Sequence, residues 1–425
     1  MTELALLGGK PALSQPLTAY PSIQDKEINA VMDVMKSGVL SGFFGSPGPK
    51  FMGGEQVQAL EKEWSALYGA KRSISVNSAT SGLHAAIGAI GISPGDEVIV
   101  PPVTMSATVI APLLYGGIPV FADIDPDTFC LDPQKVREQI TPKTRAIIVV
   151  NLFGNPAPLE ELRQIADEHG LKLIEDNAQA PLGRLADRYC GLWGDIGIFS
   201  LNYHKHIHSG EGGICVTQDD NLADRMALIR NHGENVALDY GCDDLVNCFG
   251  LNLRMTELSA AVARTQLSDI EAHVQYRERI AKRLSAATRH LPGWTVPEER
   301  EDTRHNYYMW TVRYDESRTG VPRDVLSKAL LAEGFENETG YIEPIYMLPL
   351  FQKRIAMGRD GFPFTLTDRQ YTKGLCPVAE RLYENEIIQF QPPNYSVSDE
   401  QIDDLIAAVL KVYDNLDQLK DVKLP

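Results

Sequence analysis

The segment GDIGIFSLNYHKHIHSGEGG, residues 194–213, decides the fold. Its apolar first half is typical of a buried β-strand that ends near Ser200, and Lys205 follows Ser200 by five residues. The closing GEGG contributes glycines, whose backbone can turn sharply or come close to a ligand. Most lysines are solvated surface residues, so the meaning of Lys205 depends on what the rest of the chain places beside it.

Short apolar runs rich in Ile and Val alternate with amphipathic segments between residues 50 and 260. Such runs are typical of strands buried on both faces. The segments between them carry helix signals, such as the cap Asp132-Pro133 and the terminating Gly170. This rhythm predicts a mostly parallel sheet with helices on both faces. We expect its strands at residues 73–76, 97–100, 118–123, 146–151, 171–175, 196–201 and 213–217.

The pattern changes at residue 269, where a long helix is predicted over 269–284. A strand at 309–313 and helices at 323–334 and 397–415 follow. The predicted fold is therefore α/β: a large domain with a mostly parallel seven-stranded sheet flanked by helices, plus a smaller C-terminal α+β domain. We place the domains at 1–268, an N-terminal segment with the large domain, and 269–425, the linking helix with the small domain. The loops predicted at 42–54 and 360–372 could border a cleft.

The bulk composition is that of an ordinary globular protein, with 425 residues, 44% hydrophobic and 23% charged. The net charge of −17 argues against nucleic acid or an anionic membrane as the main partner. The chain contains no apolar run long enough for a membrane span, and its start does not resemble a signal peptide. Its six cysteines show neither a CxxC pair nor a disulfide framework, which favours a reducing cytoplasm.

Two further segments carry polar residues where predicted strands end. LIEDNAQA, residues 173–180, places Glu175 and Asp176 at the carboxyl end of a strand, where open parallel sheets bind ligands. SVNSATSGL, residues 75–83, places small polar residues before a helix predicted over 83–90, whose free N–H groups could bind an anion. Taken alone, each segment could equally be an ordinary helix cap.

The chain resembles the DegT/StrS family of sugar and cyclitol aminotransferases, which have the aspartate-aminotransferase fold (fold type I). The resemblance rests on the segments above and on further motifs in the family's order: PGDEVIVPPVTMSAT (94–108), GIPVFADIDPDTF (117–129), RNHG (230–233), FGLNLRMTELSAA (249–261) and CPVAERL (376–382). It implies pyridoxal 5′-phosphate (PLP) as the cofactor of the large domain, and a homodimer with shared active sites.

The family's roles fall on individual residues of this chain. The resemblance makes Lys205 the Schiff-base lysine, which can also carry protons. It makes Asp176 the acid that faces the pyridine nitrogen and keeps the ring an electron acceptor. The other implied contacts are Gln179 near the ring hydroxyl, Ser200 with the backbone of Ala79 and Thr80 around the phosphate, and Asn252 reaching that phosphate from the other subunit.

Three positions depart from the family's pattern. Met105 stands where relatives usually have an aromatic stacked on the cofactor ring; it could contact the ring through sulfur or be a core methionine. Ala79 replaces a common glycine. Tyr346, in EPIYMLP, lies where relatives commonly carry Pro-Leu-His near the substrate entrance, so we expect Tyr346 beside the substrate.

The histidines around Lys205 leave several alternatives open. Alternate His204, His206 and His208 could lie on one strand face as metal ligands, yet the only nearby carboxylate is Glu211 of GEGG. We therefore predict no metal. His206 is the expected substrate contact, although each histidine could equally be structural.

The leading interpretation is an aminotransferase with two small-molecule substrates. Glutamate or glutamine would give the amino group to a keto group of a sugar, nucleotide sugar or cyclitol. One alternative is a PLP-dependent dehydratase or lyase, because some relatives deoxygenate sugars with a histidine in place of the lysine. A second alternative is a non-catalytic PLP-binding regulator.

Overall fold

The computed structural model describes residues 3–298, 300–391 and 394–424. The strands of these residues are β1 (Thr18–Ala19), β2 (Arg72–Val76), β3 (Glu97–Val100), β4 (Ile118–Phe121), β5 (Thr144–Val150), β6 (Lys172–Asp176), β7 (Arg184–Leu185), β8 (Arg188–Tyr189), β9 (Ile196–Ser200), β10 (Gly213–Thr217), β11 (Trp294–Thr295), β12 (Thr303–Arg304), β13 (Trp310–Tyr314), β14 (Glu338–Thr339), β15 (Ile387–Phe390) and β16 (Tyr395–Ser396).

The α-helices of the same residues alternate with these strands. They are α1 (Asp25–Ser37), α2 (Glu55–Tyr68), α3 (Ala79–Ala89), α4 (Ser106–Ile110), α5 (Pro133–Gln139), α6 (Leu159–His169), α7 (Asp220–Arg230), α8 (Glu257–Leu267), α9 (Ile270–Thr288), α10 (Arg323–Ala332), α11 (Pro349–Gln352), α12 (Pro377–Arg381) and α13 (Asp399–Tyr413). No helix in this described part of the chain combines the length and apolarity needed to cross a membrane.

Seven of the described strands form one sheet in the order β2-β10-β9-β6-β5-β3-β4. Strand β10 is antiparallel to β2 and β9, while the pairings from β9 to β4 are parallel. Central strands are buried on both faces, as the Ile/Val-rich runs predict; Ile147 and Ile174, for example, are inaccessible to solvent. The predicted seven-stranded, mostly parallel sheet is confirmed.

Two boundaries differ from the prediction for reasons that shape the site. Helix α3 starts at Ala79 rather than at residue 83, because the Ser78 side chain caps it by accepting from the Ser81 N–H. Strand β4 ends at Phe121 rather than at residue 123. Asp123 leaves the sheet and accepts from the N–H groups of Val378 (2.9 Å) and Ala379 (3.1 Å), which fixes the start of α12.

A second layer contains the antiparallel sheet β11-β13-β15-β14 and the helices α10 and α13. Its core includes Trp310, Leu326 and Leu405, and its mixture of strands and helices fits the predicted α+β character. Leu4 of the N-terminal segment also packs in this core, although the sequence grouped that segment with the large domain. Strand β1, also in the N-terminal segment, pairs with β16 near the C-terminal end of the chain. The division at residue 269 stays a prediction.

Helix α9 joins the two layers. Near its start Val274 packs among the residues of α2 and α8, whereas Ile280 and Leu284 pack in the core of the second layer. Arg277, between these two contacts, is buried. The linking helix predicted over 269–284 is therefore present and four residues longer at its C-terminal end.

A buried ion pair fixes α2 and α7 to the edge strand β2. The Glu61 carboxylate accepts from the Arg230 guanidinium at 2.6 Å and from both the N–H and the hydroxyl of Ser75 at 2.8 Å. Arg230 is inaccessible to solvent and also donates to the Ser75 carbonyl at 3.0 Å. Loss of one partner would leave the other charge buried without compensation.

We expect Glu61→Ala to lower the free energy of unfolding by about 3–5 kcal/mol, measured by urea denaturation. The double variant Glu61→Ala/Arg230→Met should recover part of the loss, because it removes both buried charges. Glu168→Ala, which breaks an exposed pair with Arg137, is the matched control and should leave the midpoint unchanged within error. An effect of Glu61→Ala as small as that of the control would contradict the role given to this pair.

Candidate active site

A cavity of ≈ 700 Å³ lies at the carboxyl ends of β6 and β9. This is the edge where a parallel sheet presents the loops that follow its strands. The structure brings most of the sequence-predicted site residues to this cavity: Ala79, Thr80, Met105, Asp176, Gln179, Ser200, Lys205 and His206 all line it.

Asp176 is the last residue of β6 and is almost fully buried. Its carboxylate accepts from the Thr108 hydroxyl at 2.7 Å and from the Ala178 N–H at 3.0 Å. Burial raises the pKa of Asp176, while these two hydrogen bonds and the charge of Lys205 act in the opposite direction. A carboxylate held in this way is oriented toward the cavity and would be stabilised by a cation placed there.

Gln179 is oriented at both ends of its amide. Its carbonyl oxygen accepts from the Phe153 N–H at 2.7 Å, which identifies the other end as the NH₂ group. That NH₂ group donates to the Tyr341 hydroxyl at 2.8 Å. The two contacts set the side chain against the wall of the cavity.

The first turn of α3 forms part of the cavity wall through Ala79 and Thr80. The N–H groups at the start of a helix have no intrahelical acceptor, so those of Ala79 and Thr80 are available to an anion. Gly213, the last glycine of GEGG, has no room for a side chain, because a Cβ there would lie 2.6 Å from the Ala79 nitrogen. The small residue thus lets β10 pack directly under the helix start, beside Ser200.

Lys205 lies in the turn after β9, where its N–H donates to the Asn202 carbonyl at 2.9 Å. Its Nζ is 4.6 Å from the centre of the Tyr308 ring, a favourable position for a cation over an aromatic face. Burial lowers the pKa of Lys205 to about 8; the charge of Asp176 raises it and that of Arg277 lowers it further. At a pKa of about 8, roughly a tenth of the amine is unprotonated at pH 7, far more than for an unperturbed lysine.

His206 lines the cavity and is buried, with Nε2 at 3.3 Å from the Asn306 carbonyl. Burial holds the pKa of His206 well below its usual range, so the ring is neutral. His204 and His208 also line the cavity. Among residues 3–298, 300–391 and 394–424, no group of three or more His, Cys, Asp or Glu is placed to hold a metal ion.

Met105, Tyr346 and Asn252 differ in where they lie relative to the cavity. Met105 is 58% exposed at the cavity wall, so it is not a core methionine. The structure does not bring Tyr346 to the cavity, in contrast to the prediction: its hydroxyl donates to Glu380 and its ring packs on Phe121 in the core. Asn252 is exposed outside the cavity, and its role toward a second subunit stays a prediction.

Four residues with direct roles in the geometry were missed from the sequence: Thr108, Arg277, Tyr308 and Tyr341. Thr108 carried a weak signal, because it lies in the motif PPVTMSAT, which runs from the end of β3 into α4. The two tyrosines come from the second half of the chain, where no local pattern distinguishes them from core aromatics. Arg277 sits in an ordinary amphipathic helix.

The cavity fits an aromatic cofactor that carries a phosphate, a ring nitrogen and an aldehyde. It combines unpaired helix N–H groups beside Ser200, a buried carboxylate at Asp176 and a buried amine at Lys205. These groups match, respectively, a phosphate, a protonated ring nitrogen and a carbonyl carbon. The residues present therefore fit PLP.

Comparisons with known proteins agree with this geometry. The model of the DegT/DnrJ/EryC1/StrS aminotransferase family matches residues 21–409. A Micromonospora echinospora protein provisionally named L-glutamine:3-amino-2,3-dideoxy-scyllo-inosose aminotransferase is 34% identical over 427 residues, covering 98% of this chain and 99% of that protein. The aminotransferase structure from Psychrobacter cryohalolentis superposes with a TM-score of 0.81 at 26% identity, covering 95% and 100% of the two chains.

A further solved structure bears on the cofactor and on the reaction. It is a GDP-4-keto-6-deoxymannose-3-dehydratase with a trapped PLP–glutamate geminal diamine. It superposes with a TM-score of 0.76 at 25% identity, covering 93% of this chain and 100% of that chain.

The shifted pKa of Lys205 can be measured in the cofactor-free protein. We expect its modification by trinitrobenzenesulfonate, followed by peptide mapping, to rise with pH around a midpoint near 8, against about 10.4 for an unperturbed lysine. Asp176→Asn should move the midpoint to lower pH, because the lost negative charge favoured the protonated amine. A midpoint near 10.4, or an upward shift in the variant, would contradict the geometry described.

Proposed function

Because the chain belongs to the DegT/DnrJ/EryC1/StrS aminotransferase family, we propose that it transfers an amino group from glutamine or glutamate to a keto group of a sugar, nucleotide sugar or cyclitol, with PLP as cofactor. One observation carries the proposal: a buried lysine with a lowered pKa and a buried carboxylate line one cavity beside a free helix N-terminus.

The substrate classes follow from the names of similar proteins. The relative from M. echinospora is named for glutamine as donor and for an amino-inosose, which is a cyclitol ketone. The dehydratase structure is named for a keto-sugar linked to a nucleotide and contains glutamate joined to PLP. A cavity of ≈ 700 Å³ has the size of a small-molecule site and could admit an amino acid and a keto-sugar in turn.

Four groups of this chain would hold the cofactor. Asp176 would face the ring nitrogen and Gln179 the ring hydroxyl, while Ser200 and the start of α3 would take the phosphate. When bound, PLP supplies an aldehyde that condenses with amines and a ring that accepts electrons from the substrate carbon. Thr108 would contribute by fixing the orientation of the Asp176 carboxylate, to which it donates.

Lys205 would have two roles in the reaction. Its amine would hold the cofactor at rest through the bond that an amine forms with an aldehyde, and an amino substrate would free it by taking its place. The freed amine, with its pKa lowered to about 8 by burial, can then accept and return a proton at the substrate carbon near neutral pH. The Tyr308 ring beneath Nζ would limit where the amine moves, because it stabilises the protonated form in one position.

The two alternative functions make different demands on the site. A PLP-dependent dehydratase remains an alternative because a dehydratase shares this fold. The presence of Lys205 five residues after Ser200 favours amino transfer. A non-catalytic regulator would have no need for a lysine with a lowered pKa facing a buried carboxylate.

We also propose that the protein works as a homodimer in the cytoplasm. Large apolar side chains near the predicted loop 42–54 and before α8 are exposed, with exposed fractions of 55% for Phe44, 55% for Leu245 and 53% for Phe249. Together in one patch, such side chains would mark a protein contact. Asn252 lies close by in sequence and is exposed, and its amide oxygen accepts from Arg254 Nε at 2.8 Å. Its NH₂ group would be the part that contacts a second subunit. The cytoplasmic location rests on composition alone.

The function can be tested with a panel of keto-sugars and keto-cyclitols, each offered with glutamate and with glutamine and analysed by mass spectrometry. We expect aminated product and one 2-oxo acid per amino group transferred. Lys205→Ala should reduce the rate by about 10²–10⁴-fold, because the proton carrier is lost.

Lys172→Ala is the control, since Lys172 lies at the opposite end of β6 and pairs with Asp195; its activity should match the wild type. Consumption of sugar without formation of the 2-oxo acid would favour the dehydratase. Protein that binds PLP but converts none of the substrates, donor alone included, would favour the regulator.

The shared site can be tested by mixing variants. Lys205→Ala and Asn252→Ala should each be nearly inactive alone. Unfolded and refolded together in equal amounts, they should regain about one quarter of the wild-type activity, because half of the dimers then contain one intact site. Absence of recovery, or a monomer with full activity in sedimentation, would contradict an Asn252 that acts across the interface.

A further inference from the structure

Arg277 is a buried cation that the proposed chemistry does not use. It lies on α9, is only 4% exposed and lines the same cavity as Lys205. Its Nη2 donates to the Lys205 carbonyl at 3.5 Å. Its Nη1 is buried and has no hydrogen-bond partner anywhere in the described parts of the chain.

The described groups around Arg277 supply no counter-charge. Burial lowers the pKa of Arg277 to about 9, and the groups that most oppose this shift are the hydroxyls of Tyr308, Tyr20 and Tyr276 rather than a carboxylate. His206 and His273, which also face it, have pKa values lowered chiefly by burial and further by the charge of Arg277 itself. Burial of a guanidinium whose N–H group has no hydrogen-bond partner costs free energy, unless an anion binds to it.

We propose that Arg277 binds the carboxylate of the amino donor. This inference rests on the proposed function and adds the residue that distinguishes the donor from the acceptor. A guanidinium presents paired N–H donors in a planar fork that matches a carboxylate, and such pairs are among the strongest hydrogen bonds in proteins. Glutamate and glutamine share the α-carboxylate, so one arginine serves both.

Arg277 and Lys205 line the same cavity, and the charge of Arg277 acts on the pKa of the Lys205 amine, so the two side chains lie near each other. This placement favours a carboxylate attached to the reacting carbon. In an amino acid the carboxylate carbon is about 2.5 Å from the amino nitrogen. An amino group presented to the site of the Lys205 amine therefore carries its carboxylate into the immediate surroundings of that lysine. A phosphate of a nucleotide sugar is separated from the keto carbon by the sugar ring and would lie farther away.

A purely structural role of Arg277 would explain the contact of Nη2 but not the buried Nη1 group. The single contact with the Lys205 carbonyl uses Nη2 and could position the turn that carries the lysine. Nη1, by contrast, is directed to no acceptor of the described residues. The two roles differ in what they predict for a ligand that has carboxylates but no reactive amine.

The test uses the PLP-loaded enzyme and glutarate, a dicarboxylate without an amino group, titrated by isothermal calorimetry. Arg277→Met should weaken glutarate binding by at least about 30-fold, since one partner of a buried charge pair is removed. It should also raise the donor KM, leaving the acceptor KM and PLP affinity within about 2-fold. Arg277→Lys keeps the charge without the planar fork and should fall between the two.

Arg279→Met is the matched control, because Arg279 lies on the same helix but pairs with Asp399 outside the cavity. It should bind glutarate as the wild type does. Unchanged glutarate binding in both Arg277 variants would overturn the proposal, as would a loss confined to PLP affinity or to a nucleotide-linked acceptor. Glutarate binding is measured without turnover, so its outcome stands apart from that of the proposed aminotransferase reaction.

Discussion

The adjacent carboxylates of Glu175 and Asp176 are buried at the end of β6, and the site depends on the hydrogen bonds that each of them accepts. Glu175 accepts from the N–H groups of Gly191 and Gly194, both at 2.7 Å, and so ties the loop before β9 to the strand. Asp176 accepts from Thr108 and Ala178 instead. Because successive side chains of a strand point to opposite faces, one carboxylate holds the scaffold and the other faces the cavity.

Desolvation is also what makes the cavity chemically distinctive. It raises the pKa of Asp176 and lowers those of Lys205 and Arg277, which opposes the charged form in each case. Lys205 and Asp176 offset part of this cost for each other across the cavity. Arg277 has no such partner among the described residues, so this wall favours an anionic ligand.

The sequence allowed the large sheet and the lysine to be predicted because both leave local patterns. Buried parallel strands are continuous Ile/Val runs, and Lys205 follows one of them at a fixed step. Contacts between distant segments leave no such pattern. Tyr341 meets Gln179 across 162 residues, and Arg277 meets Lys205 across 72. Tyr346 was misplaced for the same reason, because its neighbours Phe121 and Glu380 come from distant parts of the chain.

Helix α9 packs in the cores of both layers and so connects them. Its 19 residues span about 28 Å, with Val274 anchored against α2 and α8 and Leu284 in the second layer's core. A rotation of one layer against the other would turn about the anchored start of the helix, only three residues before Arg277. The guanidinium, close to that anchor, would then keep its place beside Lys205 while residues farther along the helix moved.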